Sequence, residues 1–313
     1  MLEILIPTFN RASFLEKNLN ILIQQIENAA LEAEISITVS DNCSEDETIK
    51  IVKQVIANKS VNIKLYQQKE NIGLEKNAIY LLKKSTEKFI MYLGDDDYLP
   101  EGYLKYITEK INSIKSLTCI IPGFSSLYSD GQILPARYAN FEEKQYIASF
   151  YTVTKISQFG HQLSGLVLKR DGLIDGYLSN KKLRNIYPFI YFVAYNNLRG
   201  TSIYVPKFQV LVSQGNTKNW NYDNSGLLSE IIKNYNNIFD DSYFKRNISI
   251  ICFMKQQYWR LRISKNPLNS VIGFLHLSKQ PDIEVLTKLT LPFLYLYGYL
   301  AAFFLKIKKI NDA

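Results

Sequence analysis

Along the first hundred or so positions, short apolar runs ending in polar clusters alternate with stretches whose apolar residues recur every three or four places. The run EILIPTF (3–9) reads as a strand stopped by a turn. RASFLEKNLNILIQQI follows, with Leu15, Leu19, Leu22 and Ile26 on one face of a helix. ISITVSD (35–41) is a β-branched strand ending in Asp41. SEDETIKIVKQVIA then carries a helix start, with Ser44 as N-cap and Glu47 three residues on. NIKLYQQ (62–68) predicts a third strand and NIGLEKNAIYLLKKS a third helix. KFIMYLG (88–94) predicts a fourth strand, after which Pro100 is placed to open another helix.

Strands separated by helices pair in parallel through right-handed crossovers. Ligands of such sheets sit beyond the carboxyl ends of the strands. Here those ends are PTFNR, SDNCSED, KENIG and GDDDY, so polar groups from four loops converge on one edge. Further on, TCIIPGFSSLYSDGQIL predicts a strand and a hairpin turn at Asp130-Gly131. QLSGLVLKR reads as another strand. The last third is helical in pattern, through SGLLSEIIKNYNNIF and FKRNISIICFMKQQYWRLRISK.

At 313 residues with 47% hydrophobic residues, the chain is long and apolar enough for one large or two smaller packed domains. A formal charge of +8 suits an anionic partner. The basic residues read as spread along the chain without a nucleic-acid-binding motif, so no nucleic acid partner is expected. Cys43, Cys119 and Cys252 stand far apart, an odd number without a CxxC pair, which fits a reducing compartment. The start MLEILIPTFNRASFLEKN lacks the pattern of a secretory signal, and none is expected.

The three carboxylates of FIMYLGDDDYLP (89–100) repel one another. An isolated run of this kind reads either as a solvated acidic turn or as a hard-oxygen site for Mg²⁺ or Mn²⁺. Its place after an apolar strand, beside three other polar strand ends, favours the cation. ILIPTFNR, VSDNCSEDET, ENIG with a following KN, and YLGDDDYLP, in this order, resemble a family 2 glycosyltransferase of the GT-A fold. The resemblance covers residues 1 to about 110. It implies an α/β fold, a Rossmann-like, mostly parallel sheet flanked by helices, with a helical carboxyl-terminal extension. Domains are expected at 1–220 (1–110 for the nucleotide sugar, 111–220 for the acceptor) and 221–313. The family uses a divalent cation, here Mn²⁺ or Mg²⁺, to move a sugar from a nucleotide diphosphate sugar with inversion.

The family's pattern implies that Pro7, Thr8 and Asn10 line the nucleotide pocket and that Arg11 reaches a phosphate. Asp41 resembles the acid that hydrogen-bonds the base. Asn71 and Gly73, with Lys76 and Asn77 behind them, resemble the segment contacting base and diphosphate. Aligned on YLP, Gly94 stands where the first acid of the metal motif usually does. Asp96 then falls on the principal metal ligand, Asp97 on a second, and Asp95 is expected to replace the missing acid against the donor. By residue type alone, Asp41 and Asn42 also suit a turn cap, Arg11 a solvated helix start, Gly73 a plain turn and Lys76 a surface helix.

An inverting transfer needs a general base for the acceptor hydroxyl. The acidic pair that many members use is missing, and the region reads NKKLRNIYPFIYFVAYN with Tyr187-Pro188 instead. His161 and Asp223 are the base candidates. Asp171 and Asp175 are weaker ones, and Trp220 beside Asp223 could stack on a sugar. The segment 285–310 contains seventeen uncharged residues (289–305), with Pro292 and Gly298 as interruptions and Lys306, Lys308 and Lys309 behind. Seventeen helical residues span about 26 Å, short of a roughly 30 Å hydrocarbon layer, which suits a helix lying in a membrane surface. The expected partners are a nucleotide diphosphate sugar, a glycan or lipid-linked acceptor and a membrane surface. The expected place is the cytoplasm, peripheral on the inner face of the cytoplasmic membrane. A nucleotidyltransferase would ordinarily carry a glycine-rich loop where PTFNRAS has none. A catalytically inactive binding or scaffold protein of the same fold is the other alternative.

Overall fold

The computed structural model describes residues 1–57, 60–135, 142–180, 185–214, 228–261 and 267–311. It opens with β1 (Leu2–Thr8), α1 (Ala12–Asn28), β2 (Ile35–Asp41), α2 (Thr48–Ala57), β3 (Ile63–Gln67), α3 (Leu74–Lys84) and β4 (Phe89–Tyr92). This is the predicted alternation. β1, β2, β3 and β4 pair in parallel, in the order β3-β2-β1-β4. β1 is buried along its whole length, as a strand covered on both faces must be. On α1, Leu15, Leu19, Leu22 and Ile26 are buried against the sheet, so one apolar stripe docks this helix.

Two helix starts differ from expectation. Ser44 does not cap α2; the Asp46 carboxylate does, accepting from Thr48 N at 3.0 Å and from the Thr48 hydroxyl. The same carboxylate takes Ala12 N, the first residue of α1, at 3.2 Å. One anion thus serves two helix amino termini, where the helix dipoles favour it. Burial opposes its charge, but these donors outweigh it and hold Asp46 below the usual carboxylate range. Pro100 does not open the next helix either. That helix, α4 (Tyr103–Ser113), starts after Gly102, whose left-handed backbone (φ 77°) separates it from the proline turn.

The second half completes a nine-stranded sheet with β5 (Leu117–Leu127), β6 (Ile133–Pro135), β7 (Lys144–Tyr146), β8 (Leu166–Lys169) and β9 (Thr201–Ser213). The expected hairpin joins β5 to β6. β8 inserts between β4 and β5, antiparallel to both, and β5 pairs in parallel with β9. Parallel pairing is therefore complete only in the first four strands. β5 and β9 run in the same direction as β4, so their carboxyl ends reach the same edge. Three helices of this half are α5 (Phe150–Ile156), α6 (Leu173–Leu178) and α7 (Phe189–Asn197). Every residue of α7 is buried. A helix that is apolar all round belongs in an interior. Phe189, Tyr191, Phe192, Val193 and Tyr195 join the core under the sheet, while Ile190 and Ala194 join a separate core with the last helices.

Those last helices are α8 (Leu228–Ile238), α9 (Tyr243–Gln256), α10 (Pro267–Lys279) and α11 (Val285–Asn311). α11 runs unbroken through Pro292. A proline inside a helix removes one backbone bond, and here packing on α9 carries the helix past it. The single-turn segment Ser157–His161 lies against α7 so closely that a Cβ on Gly160 would stand 2.6 Å from the Phe189 carbonyl oxygen and 2.7 Å from Ile190 Cα. These are backbone atoms that cannot rotate away. Gly160→Ala is therefore expected to cost about 1–3 kcal/mol, read from the urea unfolding midpoint.

Candidate active site

The edge formed by the carboxyl ends of β1, β2, β3 and β4 is stitched together by its own polar residues. Asn10, in a left-handed conformation (φ 53°), donates its N–H to Ser44 Oγ at 2.8 Å and accepts from Glu45 N at 2.9 Å. Asp41 is buried and caps the same loop, taking Ser44 N at 2.9 Å and the Ser44 hydroxyl. Asn42 donates to Asn71 Oδ1 at 2.8 Å and accepts from Ile72 N at 2.9 Å, while Asn71 Oδ1 also takes Gly73 N at 3.0 Å. The β2 and β3 loops are thus clamped side chain to side chain. Asn77 is buried below them, bonded to Ser40 through both its amide atoms. Gly73 (φ 82°) precedes α3, and Lys76 is exposed in its first turn. Pro7 is buried within β1, beyond its last bond to β4.

The three aspartates separate by environment. Asp97, read from the sequence as a metal ligand, is a brace. Its Oδ2 accepts the Ser164 hydroxyl ahead of β8, and its Oδ1 accepts Ser213 N at the end of β9, at 3.0 Å. Its carbonyl and that of Gly94 both accept the Asn18 amide of α1, at 2.6 and 2.9 Å. Asp96 is buried, and its carbonyl accepts the Ser213 hydroxyl. Asp95 keeps an accessible edge. Burial first, then repulsion from Asp96, pushes its carboxyl up to about 7, against the opposing pull of the Thr8 hydroxyl and the Arg11 charge. The same charges, after burial, raise Tyr98, over whose ring the Lys17 ammonium lies at 4.7 Å.

Asp95 thus stands at the open side of the turn, within reach of the Thr8 hydroxyl and the Arg11 charge, with Asp96 next in the chain. Two adjacent carboxylates with only partial compensation fit a divalent cation of the hard kind. Such a cation takes one or two protein carboxylates and completes its shell with water and phosphate oxygens. Among the described residues no group of three or more His, Cys, Asp or Glu gathers into a cage.

His161 ends the segment that leads to Ser164. Its Nδ1 lies 2.7 Å from the Gln158 carbonyl oxygen and 2.9 Å from Gln257 Nε2, and its ring meets Phe124 edge-on at 5.6 Å. Asp171 and Asp175 lie at the other edge of the sheet: β8 runs from Leu166 beside Tyr92 to Lys169 beside Phe89, and both aspartates follow it. That geometry removes them as base candidates. Asp223 and Trp220 lie outside the described residues. Sequence reading missed Asn18, Ser164 and Ser213, whose role depends on contacts over 67 to 116 residues. It also passed over Glu230 of α8, which accepts Ile186 N at 3.3 Å at the start of α7, beside Tyr187-Pro188.

Gly94 now has a physical reason. A Cβ there would stand 2.8 Å from Asp97 Oδ2 and 3.2 Å from Ser164 Oγ. The space is taken by the brace. Gly94→Ala is expected to destabilise by about 1–3 kcal/mol, and Gly94→Asp by at least as much, rather than restoring a ligand. Urea unfolding of both variants checks this; a Gly94→Asp protein as stable as the parent would contradict it.

Residues 3–155 match the family described as Glycosyl transferase family 2. Over 104 residues the chain is 29% identical to the poly(ribitol-phosphate) beta-N-acetylglucosaminyltransferase TarS of Staphylococcus aureus, a stretch covering 33% of this chain and 17% of that protein. Over 112 residues it is 34% identical to the GalNAc(5)-diNAcBac-PP-undecaprenol beta-1,3-glucosyltransferase of Campylobacter jejuni, covering 36% and 34% respectively. The matches therefore span about a third or less of these relatives. The structure of S. aureus TarS 1-349 in complex with UDP-GlcNAc superposes with a TM-score of 0.63 at 14% identity, over 89% of this chain and 80% of that one. The mannosyltransferase PcManGT of Pyrobaculum calidifontis, in complex with GDP-Man and Mn²⁺, gives 0.52 at 11% identity, over 96% and 86%. At these identities the likeness is one of fold, the GT-A architecture. The sequence match assigns residues 3–155 to glycosyltransferase family 2, on a chain of GT-A architecture.

Proposed function

We propose that the chain transfers a sugar, with inversion, from a nucleotide diphosphate sugar to a hydroxyl of a glycan or lipid-linked acceptor in surface polysaccharide synthesis. The observation that carries this is the convergence of the carboxyl ends of β1, β2, β3 and β4 on one edge, with the Asp95-Asp96 turn after β4, in a chain whose residues 3–155 match family 2. The names of the relatives, an N-acetylglucosaminyltransferase and a glucosyltransferase acting on an undecaprenol-linked glycan, support the reaction class. The division at 1–220 and 221–313 is kept as the working assignment of catalytic and helical parts.

Asp96, with Asp95 beside it, would hold Mn²⁺ or Mg²⁺, and the ion supplies charge neutralisation to the departing diphosphate. Asp97 keeps the turn in place rather than binding the ion. Arg11 faces the same charge and reaches the phosphates. Asn71, Gly73 and Lys76 border the donor at the first turn of α3, where backbone N–H groups favour an anion. Pro7, Thr8 and Asn10 shape the base side. Asp41, already a turn cap, would spend a remaining lone pair on the base. His161, its ring oriented by Gln158 and Gln257, takes the acceptor proton, with Asp223 as the other base candidate. The enzyme works in the cytoplasm, peripheral on the inner face of the membrane, with α11 as its contact.

Thermal shifts with a panel of nucleotide sugars test this, because a ligand at a hundred times its Kd adds about 2.7 kcal/mol of stability. One nucleotide sugar with Mn²⁺ should raise the melting temperature, and Asp96→Ala should abolish that rise. An unchanged rise in the variant would sink the site assignment. Donor binding with neither transfer nor slow donor hydrolysis would leave the non-catalytic alternative.

A further inference from the structure

We propose that α10 and α11 together form a dock for an anionic lipid bilayer, lying along its surface and holding the acceptor side of the site against it; this rests on the acceptor being lipid-linked. The two helices are neighbours joined by the turn at 280–284. Each sends one stripe inward. Phe274 and Leu277 of α10 and Leu291, Leu294 and Tyr295 of α11 join the core that α7, α8 and α9 share. The opposite stripes face away from the body. On α10 they are Leu268, Val271, Ile272 and Leu275, spaced three, one and three. On α11 they are Val285, Leu289, Phe293, Leu296, Leu300 and Phe303, spaced four, four, three, four and three. These residues are about half exposed or more, from Leu275 at 49% to Phe293 at 71%. A soluble monomer does not ordinarily leave so continuous a surface bare.

Charge identifies the occupant. Residues 243–313 hold eleven Lys or Arg against three Asp or Glu, a surplus equal to the +8 of the whole chain. The first 242 residues are neutral on balance, with 26 basic against 26 acidic residues; basic residues are spread along the chain, and the surplus arises because acids become scarce after residue 242. An apolar face set in a basic segment matches an anionic bilayer, which attracts each Lys or Arg near its surface. A second copy of the chain would bring the same positive surplus against itself. Lys255, whose ammonium lies 5.3 Å from the Tyr297 ring centroid, stands at the border between the two kinds of surface.

The helices lie along the bilayer rather than cross it. Val285–Phe304 is long and apolar enough for a span, which extends the seventeen-residue count from sequence. But α11 is fastened along its inner stripe. Arg246 of α9 bonds Glu284 through Nε and Nη2, at 3.1 and 2.6 Å. Asn247 Oδ1 accepts Thr287 N and its hydroxyl, at 3.0 and 2.6 Å. A crossing helix would have to give up these bonds and the burial of Leu291, Leu294 and Tyr295. The dock also connects to the site: the segment Tyr258–Leu261 packs on α11, Arg260 donates to Gln257 at 2.7 Å, and Gln257 Nε2 sits against His161.

Flotation of the full chain on phosphatidylcholine vesicles, with and without phosphatidylglycerol, tests this. The protein should float with the anionic vesicles, not the neutral ones, and less as salt rises. Leu289→Glu with Phe293→Glu should lower recovery about tenfold or more, and so should Lys279→Glu with Lys288→Glu. Nucleotide-sugar thermal shifts run beside it keep failure of the dock apart from failure of the donor site; both variants should retain the parent's melting temperature and shift. Equal flotation on both vesicle types, or none, would overturn the proposal. So would a dimer of the parent that the Leu289→Glu, Phe293→Glu variant turns into a monomer, or resistance of the bound protein to alkaline extraction.

Discussion

Asp97 stands where three strands of the sheet come to one edge, and its carboxylate takes a donor from the segment before β8 and another from the end of β9. Hydrogen bonds to a charged group are worth about 1.5–3 kcal/mol each, and a buried carboxylate stripped of them keeps its desolvation penalty. That one group therefore fixes the turn 94–97 against both halves of the sheet. Asn18 repeats the fixing from α1, by holding the carbonyls on either side of the turn. Asp95 and Asp96 are then presented on a rigid frame, with like charges closer than they would choose. Burial first, and the neighbouring Asp96 charge second, raise the Asp95 carboxyl within this frame. A site that must bind a cation and an anionic diphosphate together has use for such neighbouring charges, since each ligand brings the charge the other lacks.

Much of this edge was legible in sequence. Four strands ending in polar clusters, parallel by the crossover rule, put PTFNR, SDNCSED, KENIG and GDDDY in one place, and β1, β2, β3 and β4 pair as expected. Local signals were less faithful where two donors competed for one acceptor. Ser44 and Glu47 had the spacing of a capping box, yet the Ser44 hydroxyl is drawn to Asp41 and the helix cap passes to Asp46, which also serves α1. No window of sequence around α2 contains Ala12. Likewise, Gly94 looked like a lost ligand because the motif is local, while the space a side chain would need is taken by the Asp97 carboxylate, held there by Ser164, seventy residues from the glycine.

The second half was harder to read for a related reason. β8 comes late in the chain but lies between β4 and β5, and it is antiparallel to both. QLSGLVLKR read as a strand and is one, but the partners of so short a strand are set by tertiary contacts that its sequence does not carry. α7 shows the same limit from the other side. FIYFVAYNN has no polar face, so periodicity could not say which side met the sheet; the answer is that both sides are covered.

That double cover ties the chemistry to the helical part. Because α7 contributes Phe192 to the core under the sheet and Ile190 to the core of the last helices, the two cannot move independently without opening an interior. Gly160 presses the His161 segment onto the same helix, and Gln257 reaches that segment from the end of α9. Whatever surface α10 and α11 settle on is therefore held in a set orientation to the strand edge. The neutral balance of the first 242 residues leaves the positive surplus entirely on the helical side. A charge distribution of that kind orients the molecule as it nears an anionic surface, before any apolar contact forms. Orientation by charge and retention by apolar area are separate physical terms, and this chain carries both in the same segment, rigidly joined to the edge where the carboxylates wait.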